Sequence, residues 1–320
     1  MNIIEIRNLH QHYWTKASLP DIFPPDATMS WRTEVLHDLT LLVPAGSIFA
    51  LLGANGAGKT TTLKVLMNLL QPSAGSARVL GVDSIRLGEA QLARIGYVAE
   101  DQKLPDWMTV RQLLDYCRAF YPAWDRQLEA KLLARFELPE DRRLSHLSRG
   151  MRMKAALLAS LAYRPELLIL DEPFNGLDPV VRDDVTQGLL ESVRQGETSV
   201  LVSSHDIEEV ERLADHVALL ESGRVKVAET IESLLGRFRR IEVDREAAWP
   251  AGSLPASWLD LQSGAGRTTF IESAYQPETT EGHCGKLFPL AQVQARPLPL
   301  RDIIIALVRP RRNQTQGTNT

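Results

Sequence analysis

Along this chain the spacing of apolar residues switches repeatedly between strand-like and helix-like. Ile3 to Ile6 alternates apolar and polar positions, which predicts a short strand. Ser47 to Leu52, Leu167-Leu-Ile-Leu170 and Ser199-Val-Leu-Val-Ser203 are nearly unbroken apolar runs, too short for helices, and predict buried strands. Between and after them, apolar residues recur at helical spacing in Thr61 to Leu70, Arg149 to Leu161 and Pro179 to Arg194. Strands alternating with helices predict a parallel sheet of the α/β class, with its site at the carboxyl ends of the strands. Thr109 is placed to cap a helix over Val110 to Phe120, and Asp125 to Phe136 has helical spacing. Residues 105–150 therefore read as a helical insert. Thr15 to Thr33 carries Pro20, Pro24 and Pro25 with isolated aromatics at Phe23 and Trp31, and reads as an irregular loop.

Beyond Thr230 the pattern changes to short strand candidates. These are Arg240 to Asp244, Trp258 to Leu261, Arg267 to Ile271 and Val293 to Leu298, followed by an apolar helix from Arg301 to Val308. The division expected is one domain over residues 1–235 and a small α+β domain over 236–308. The polar stretch 309–320, with Arg311 and Arg312, reads as a disordered tail.

Composition removes whole classes of function. The 320 residues carry a net charge of −4, so no basic field points to nucleic acid. The two cysteines, Cys117 and Cys284, stand far apart, which fits a reducing compartment and no disulfide framework. The N-terminal segment mixes acid and base and lacks the form of a signal peptide. No run reaches the roughly 18 apolar residues that span a bilayer.

Chemistry is concentrated in two places. Gly53-Ala-Asn-Gly-Ala-Gly-Lys59-Thr60-Thr61 joins a predicted strand to a predicted helix, as a phosphate-binding loop requires. Gly53, Gly56 and Gly58 let backbone N–H groups turn onto an anion, with Asn55 between them and Thr61 opening the helix. Lys59 would reach the β- and γ-phosphates, and the Thr60 hydroxyl would hold Mg²⁺. The second place is Asp171-Glu172, two acids at the mouth of a buried strand, where an unpaired charge is costly. Asp171 is positioned to hold Mg²⁺, and Glu172 to orient and deprotonate an attacking water.

From about Ile3 to Thr230 the chain closely resembles the ATP-binding-cassette (ABC) ATPases. Leu147-Ser-Arg-Gly-Met151 resembles their L-S-G-G-Q signature, the most family-specific of the motifs. Asn175-Gly-Leu-Asp178 resembles the D-loop, Ser203-Ser-His205-Asp the switch histidine, and Ile95-Gly-Tyr-Val-Ala-Glu100 the Q-loop. The resemblance implies a P-loop NTPase cassette with a parallel core sheet, an antiparallel β subdomain and a helical subdomain. It implies ATP and Mg²⁺ as ligands, Tyr13 stacked on adenine, His205 on the γ-phosphate, and Glu100 as a further metal ligand. It also implies a head-to-tail dimer in which Ser148, Gly150 and Asp178 act across the interface. Ser148 and Gly150 open a helix, so they form an anion site without a partner in their own subunit.

The function implied is an ATPase subunit of a membrane transporter, most like those of ABC-2-type exporters. It would lie on the cytoplasmic face of the membrane through a separately encoded permease. A soluble ABC ATPase acting on ribosomes or DNA is the alternative, and the GTPase base reader N-K-x-D is absent. Four residues depart from the family pattern: Arg149 and Met151 in the signature, Glu100 in place of glutamine, and Asn175 in place of serine. Glu100 keeps the metal-ligand oxygen but adds negative charge, with Gln102 close by as the other candidate for the role. Tyr13 also reads as an ordinary half-buried strand aromatic. Trp107 and Trp124 read as core or partner-groove residues.

Overall fold

A computed structural model describes residues 1–18, 28–193, 198–244, 254–264 and 266–309. Contacts divide the chain into two compact units, at Ala228/Glu229.

The first unit begins with two long strands, β1 (Asn2–Ser18) and β2 (Thr28–Pro44), then β3 (Ile48–Leu52) and helix α1 (Lys59–Leu66). Next come β4 (Ala74–Val79), β5 (Val82–Asp83), α2 (Glu89–Leu92) and β6 (Ile95–Val98). Three helices follow, α3 (Val110–Arg118), α4 (Arg126–Arg135) and α5 (Arg149–Leu161). The unit closes with β7 (Leu167–Asp171), α6 (Pro179–Val193), β8 (Ser199–Ser204), α7 (Ile207–Leu213), β9 (His216–Glu221) and β10 (Arg224–Thr230).

The core sheet has the order β10-β9-β3-β8-β7-β6, and the neighbouring pairs from β9 to β6 run parallel. Every residue of β3, β7 and β8 is buried, because helices and a second sheet cover both faces. That is why these strands read as continuous apolar runs. The second sheet, β2-β1-β4-β5, is antiparallel and contributes Ile4, Ile6, Leu9, Leu39 and Leu41 to the same core as Phe49, Leu63 and Ile169.

The region from 105 to 150 is helical as expected. Thr109 Oγ1 accepts from the Gln112 N–H while Gln112 Oε1 accepts from the Thr109 N–H, a reciprocal cap on α3. Asp125 caps α4 through the N–H groups of Gln127 and Leu128. Trp107 is 68% exposed, so it is no core residue, whereas Trp124 is half-buried with its indole on Glu129.

One expectation is corrected here. Thr15 to Thr33 is not an irregular loop throughout: Thr15–Ser18 continues β1, 28–33 belongs to β2, and the two pair in register from Thr15↔Trp31 to Ser18↔Thr28. The prolines that suggested a break lie at 20, 24 and 25, outside the described residues, as does Phe23. Polar composition hid the strand, because two strands that pair with each other need no buried face to set their hydrogen bonds.

The second unit holds α8 (Ile231–Arg237), β11 (Arg239–Val243), β12 (Trp258–Gly264), β13 (Arg267–Glu272), α9 (Pro277–Leu287), β14 (Val293–Pro297) and α10 (Leu300–Val308). Its antiparallel sheet, in the order β12-β13-β11-β14, is built on Ile241, Val243, Trp258, Phe270, Cys284 and Phe288. Burial pushes the Cys284 thiol up to about 11, with the charges of Glu272 and Glu281 adding to the rise. Both cysteines are free. The tail expected at 309–320 lies outside the described residues except for Arg309.

Candidate functional site: a phosphate loop and its carboxylates

Four adjacent strands end at one place. The carboxyl end of β3 leads into Gly53 to Thr61, that of β8 into His205, that of β7 into Asp171-Glu172, and that of β6 into Glu100. The loop is hung on the sheet by a hydrogen bond from the Gly53 N–H to the Ser204 carbonyl, 3.2 Å. Gly56 and Gly58 have φ of +81° and +108°, backbone that side-chain-bearing residues rarely adopt. At Gly58 a Cβ would also stand 2.6 Å from Leu36 Cδ2. Gly58 precedes α1 and no side chain caps that helix, so its first amides are left for a ligand.

Lys59 is folded back over the loop. Its ammonium donates to the carbonyls of Gly53 (2.6 Å) and Ala54 (3.2 Å) and lies 3.0 Å from Glu172 Oε1. Both side chains are nearly inaccessible, 5% and 6% exposed. That contact is an ion pair by proximity only, since Oε1 accepts no hydrogen bond. Glu172 Oε2 is 2.7 Å from His205 Nδ1. Glu172 itself has φ of +48°, a left-handed backbone that residues bearing a Cβ rarely adopt.

Asp171 Oδ1 accepts from Thr60 Oγ1 (3.1 Å) and Ser203 Oγ (2.7 Å), and Ser203 Oγ also accepts from the Glu172 N–H (2.9 Å). Burial raises the Asp171 carboxyl above its usual range; the two hydroxyls pull it back, and the charges of Glu100 and Glu172 raise it further. Thr60, Asp171 and Glu100 thus crowd oxygen donors and negative charge where a hard divalent cation would relieve them. Among the described residues no group of three or more His, Cys, Asp or Glu side chains forms a metal site by itself. Phosphate oxygens and water would have to complete the shell.

The recess in front of these groups is lined by Val35, Asn55, Gly56, Gly58, Lys59, Thr60, Thr61, Glu100 and Glu172. Tyr13 is on β1, 38% exposed, with its hydroxyl 3.4 Å from Thr61 Oγ1, at the edge of this recess. Glu100, not Gln102, faces it. Gln102 is exposed and bends back to accept from the Ala99 N–H. The expected residues Ser148, Gly150 and Asp178 do not line the recess. Ser148 caps α5 by accepting from the Met151 N–H, and Asp178 accepts from the N–H groups of Val180 and Val181 at the start of α6. Gly150 is buried against Val181, and the Arg149 guanidinium lies over Gly176. Sequence reasoning missed Val35, Ser203 as an Asp171 partner, and a hydrogen bond from Asn175 Nδ2 to Glu100 Oε1 at 2.7 Å. A serine and a valine on strands carry no signal that separates them from core residues.

Comparison with known proteins bears on this constellation. The ABC transporter family matches residues 36–175. The ABC transporter ATP-binding protein YtrB of Bacillus subtilis (strain 168) is 33% identical over 210 residues, 66% of this chain and 72% of YtrB. This chain belongs to the ABC transporter ATP-binding proteins. It is an ATPase of that family. The Nod factor export ATP-binding protein I of Neorhizobium galegae is 34% identical over 88% of this chain and 82% of its own length. The daunorubicin resistance ATP-binding protein DrrA3 of Streptomyces coeruleorubidus is 37% identical over 63% of the chain, which spans 65% of DrrA3. Among solved structures, the ATP-binding subunit of an ABC transporter superposes with a TM-score of 0.60 at 26% identity, covering 72% of this chain and 91% of that one. The ATP-binding cassette MJ0796, solved as a dimer bound to ADP and Pi, shares the fold at a TM-score of 0.59 and 20% identity, covering 71% of this chain and 98% of that one. No helix among the described residues is long and apolar enough to cross a membrane.

Proposed function

We propose that this ATPase drives a separately encoded membrane permease, most simply for export, by closing on ATP as a head-to-tail dimer. The observation that carries the reading is the buried Glu172 carboxylate, set between Lys59 and His205 beside the Thr60–Asp171 pair. The names of the relatives, which include a Nod factor export protein and a drug-resistance protein, support export.

ATP would enter with its phosphates on the amides of Gly56 to Thr61 and its base beside Tyr13. Lys59 has three N–H bonds; two are directed to loop carbonyls and the third side of the ammonium faces Glu172. A γ-phosphate offers that face a stronger partner, which leaves Glu172 Oε1 to accept a proton from water. His205 then keeps Oε2 in place, so the carboxylate cannot swing away when Lys59 turns to the phosphate. Thr60, Asp171 and Glu100 would hold Mg²⁺, which supplies charge neutralisation at the phosphates. In the dimer, Ser148 and the amides at the start of α5 would meet the partner's γ-phosphate. Asp178 would sit at the junction. The exposed face around Trp107 would receive the permease.

Glu172→Gln tests the core of this reading. ATP affinity should be kept while hydrolysis slows by about 10²-fold or more, and a dimer should accumulate with ATP on gel filtration. Turnover at the wild-type rate would remove Glu172 from the mechanism. Co-purification with a polytopic protein from detergent-solubilised membranes tests the coupling.

A further inference from the structure

We infer that Asn175 is a positioning residue for Glu100, holding that carboxylate at the metal position from the loop that follows the catalytic acid. This rests on the proposed Mg²⁺ role of Thr60, Asp171 and Glu100.

The two residues are 75 positions apart, at the ends of different strands, and meet through the 2.7 Å hydrogen bond from Asn175 Nδ2 to Glu100 Oε1. Asn175 is anchored at its other end as well: its backbone N–H donates to the Glu172 carbonyl at 3.1 Å. One short residue therefore ties the Glu100 side chain to the backbone of Glu172. An amide suits the task better than a cation would. It fixes one carboxylate oxygen without cancelling the charge, and it leaves the other oxygen free to face the recess that Glu100 lines. Glu100 adds to the field on Asp171, which places its charge close to the same position. Asn175 also begins the segment that reaches Asp178 at the start of α6. A shift of that segment would move Glu100 with it, so metal affinity would follow the position of the D-loop.

The test is nucleotide binding by the full chain, measured by calorimetry with a non-hydrolysable ATP analogue, in a Mg²⁺ titration and in EDTA. Partners that orient a metal ligand typically change affinity by about tenfold or more. Asn175→Ala should raise the Mg²⁺ concentration for half-maximal effect by about that factor, and leave affinity in EDTA unchanged. Asn175→Asp should raise it further, because it sets a like charge against Glu100. Adding Asn175→Ala to Glu100→Ala should change nothing beyond the effect of Glu100→Ala alone. A normal Mg²⁺ requirement in Asn175→Ala, beside a raised one in Glu100→Ala, would overturn the inference and leave the metal reading standing. An unchanged requirement in Glu100→Ala would remove Glu100 from the metal and take the inference with it. Equal losses with and without Mg²⁺ would also overturn it, by making Asn175 a general support of the loop. Asn175→Leu, close in shape and without a donor, serves the same comparison if the alanine variant does not fold.

Discussion

Lys59 and Glu172 are a buried pair whose members each have a second task, and that makes their mutual dependence measurable. Removing one partner of a buried ion pair strands the other, at a cost of about 3–5 kcal/mol. Lys59→Ala should therefore abolish nucleotide binding and also lower stability by about 3 kcal/mol in urea unfolding. Adding Glu172→Gln should restore most of that stability and none of the binding. Strictly additive losses would mean that the pair contributes nothing as a pair. At this scale the sequence was informative wherever chemistry demands one residue type at one spacing. Lys59, Thr60, Asp171, Glu172 and His205 stand together as their motifs require. The contact between Asn175 and Glu100 was not legible, because each was visible only as a departure from a family pattern, and nothing local links positions 75 apart. The same holds for Ser203, one hydroxyl among many until the register of β7 against β8 sets it opposite Asp171.

Among the elements, the β9–β10 turn shows how a segment remote in sequence supports the phosphate loop. Ser222 and Gly223 have φ of +47° and +74°, the left-handed pair that a two-residue hairpin turn favours. The Gly223 N–H donates to the Ala57 carbonyl inside the loop, and its carbonyl accepts from the His37 N–H, both at 3.0 Å. A Cβ on Gly223 would lie 2.1 Å from the carbonyl oxygen of Val35, a residue that lines the recess. Gly223→Ala should thus weaken ATP binding severalfold and destabilise the fold by about 1–3 kcal/mol, although residue 223 never touches nucleotide. Unchanged affinity in calorimetry would show that the loop holds its shape without this turn. The long apolar strands and the capped helices were legible because burial on both faces and capping chemistry leave direct marks in sequence. Helix α9 was not. Among its residues only Thr280 and Cys284 are buried, and Gly282 and Gly285 weaken its propensity, so packing rather than local preference decides it.

For the whole molecule, the division at Ala228/Glu229 places every candidate site residue in the first unit. The boundary expected at 235 would cut into α8, whose Leu234 is fully buried and which packs against α10 of its own unit. Arg237 is likewise tied to Glu229 and to the Ser273 carbonyl. A chain ending at Thr230, where β10 ends, should bind ATP with unchanged affinity. Loss of binding in such a folded chain would assign the second unit a part in the site. The long hairpin of β1 and β2 has a consequence of another kind. β4 accompanies β1 only as far as His10, while β2 stays with it to Ser18. Beyond that point the ribbon is two strands wide. Such a ribbon can gain or lose residues in opposed pairs and keep its pairing register, whereas a single unmatched residue shifts the register or leaves a bulge. The arm is therefore a place where related chains can differ in length by even steps while Tyr13, at its root, stays where it is.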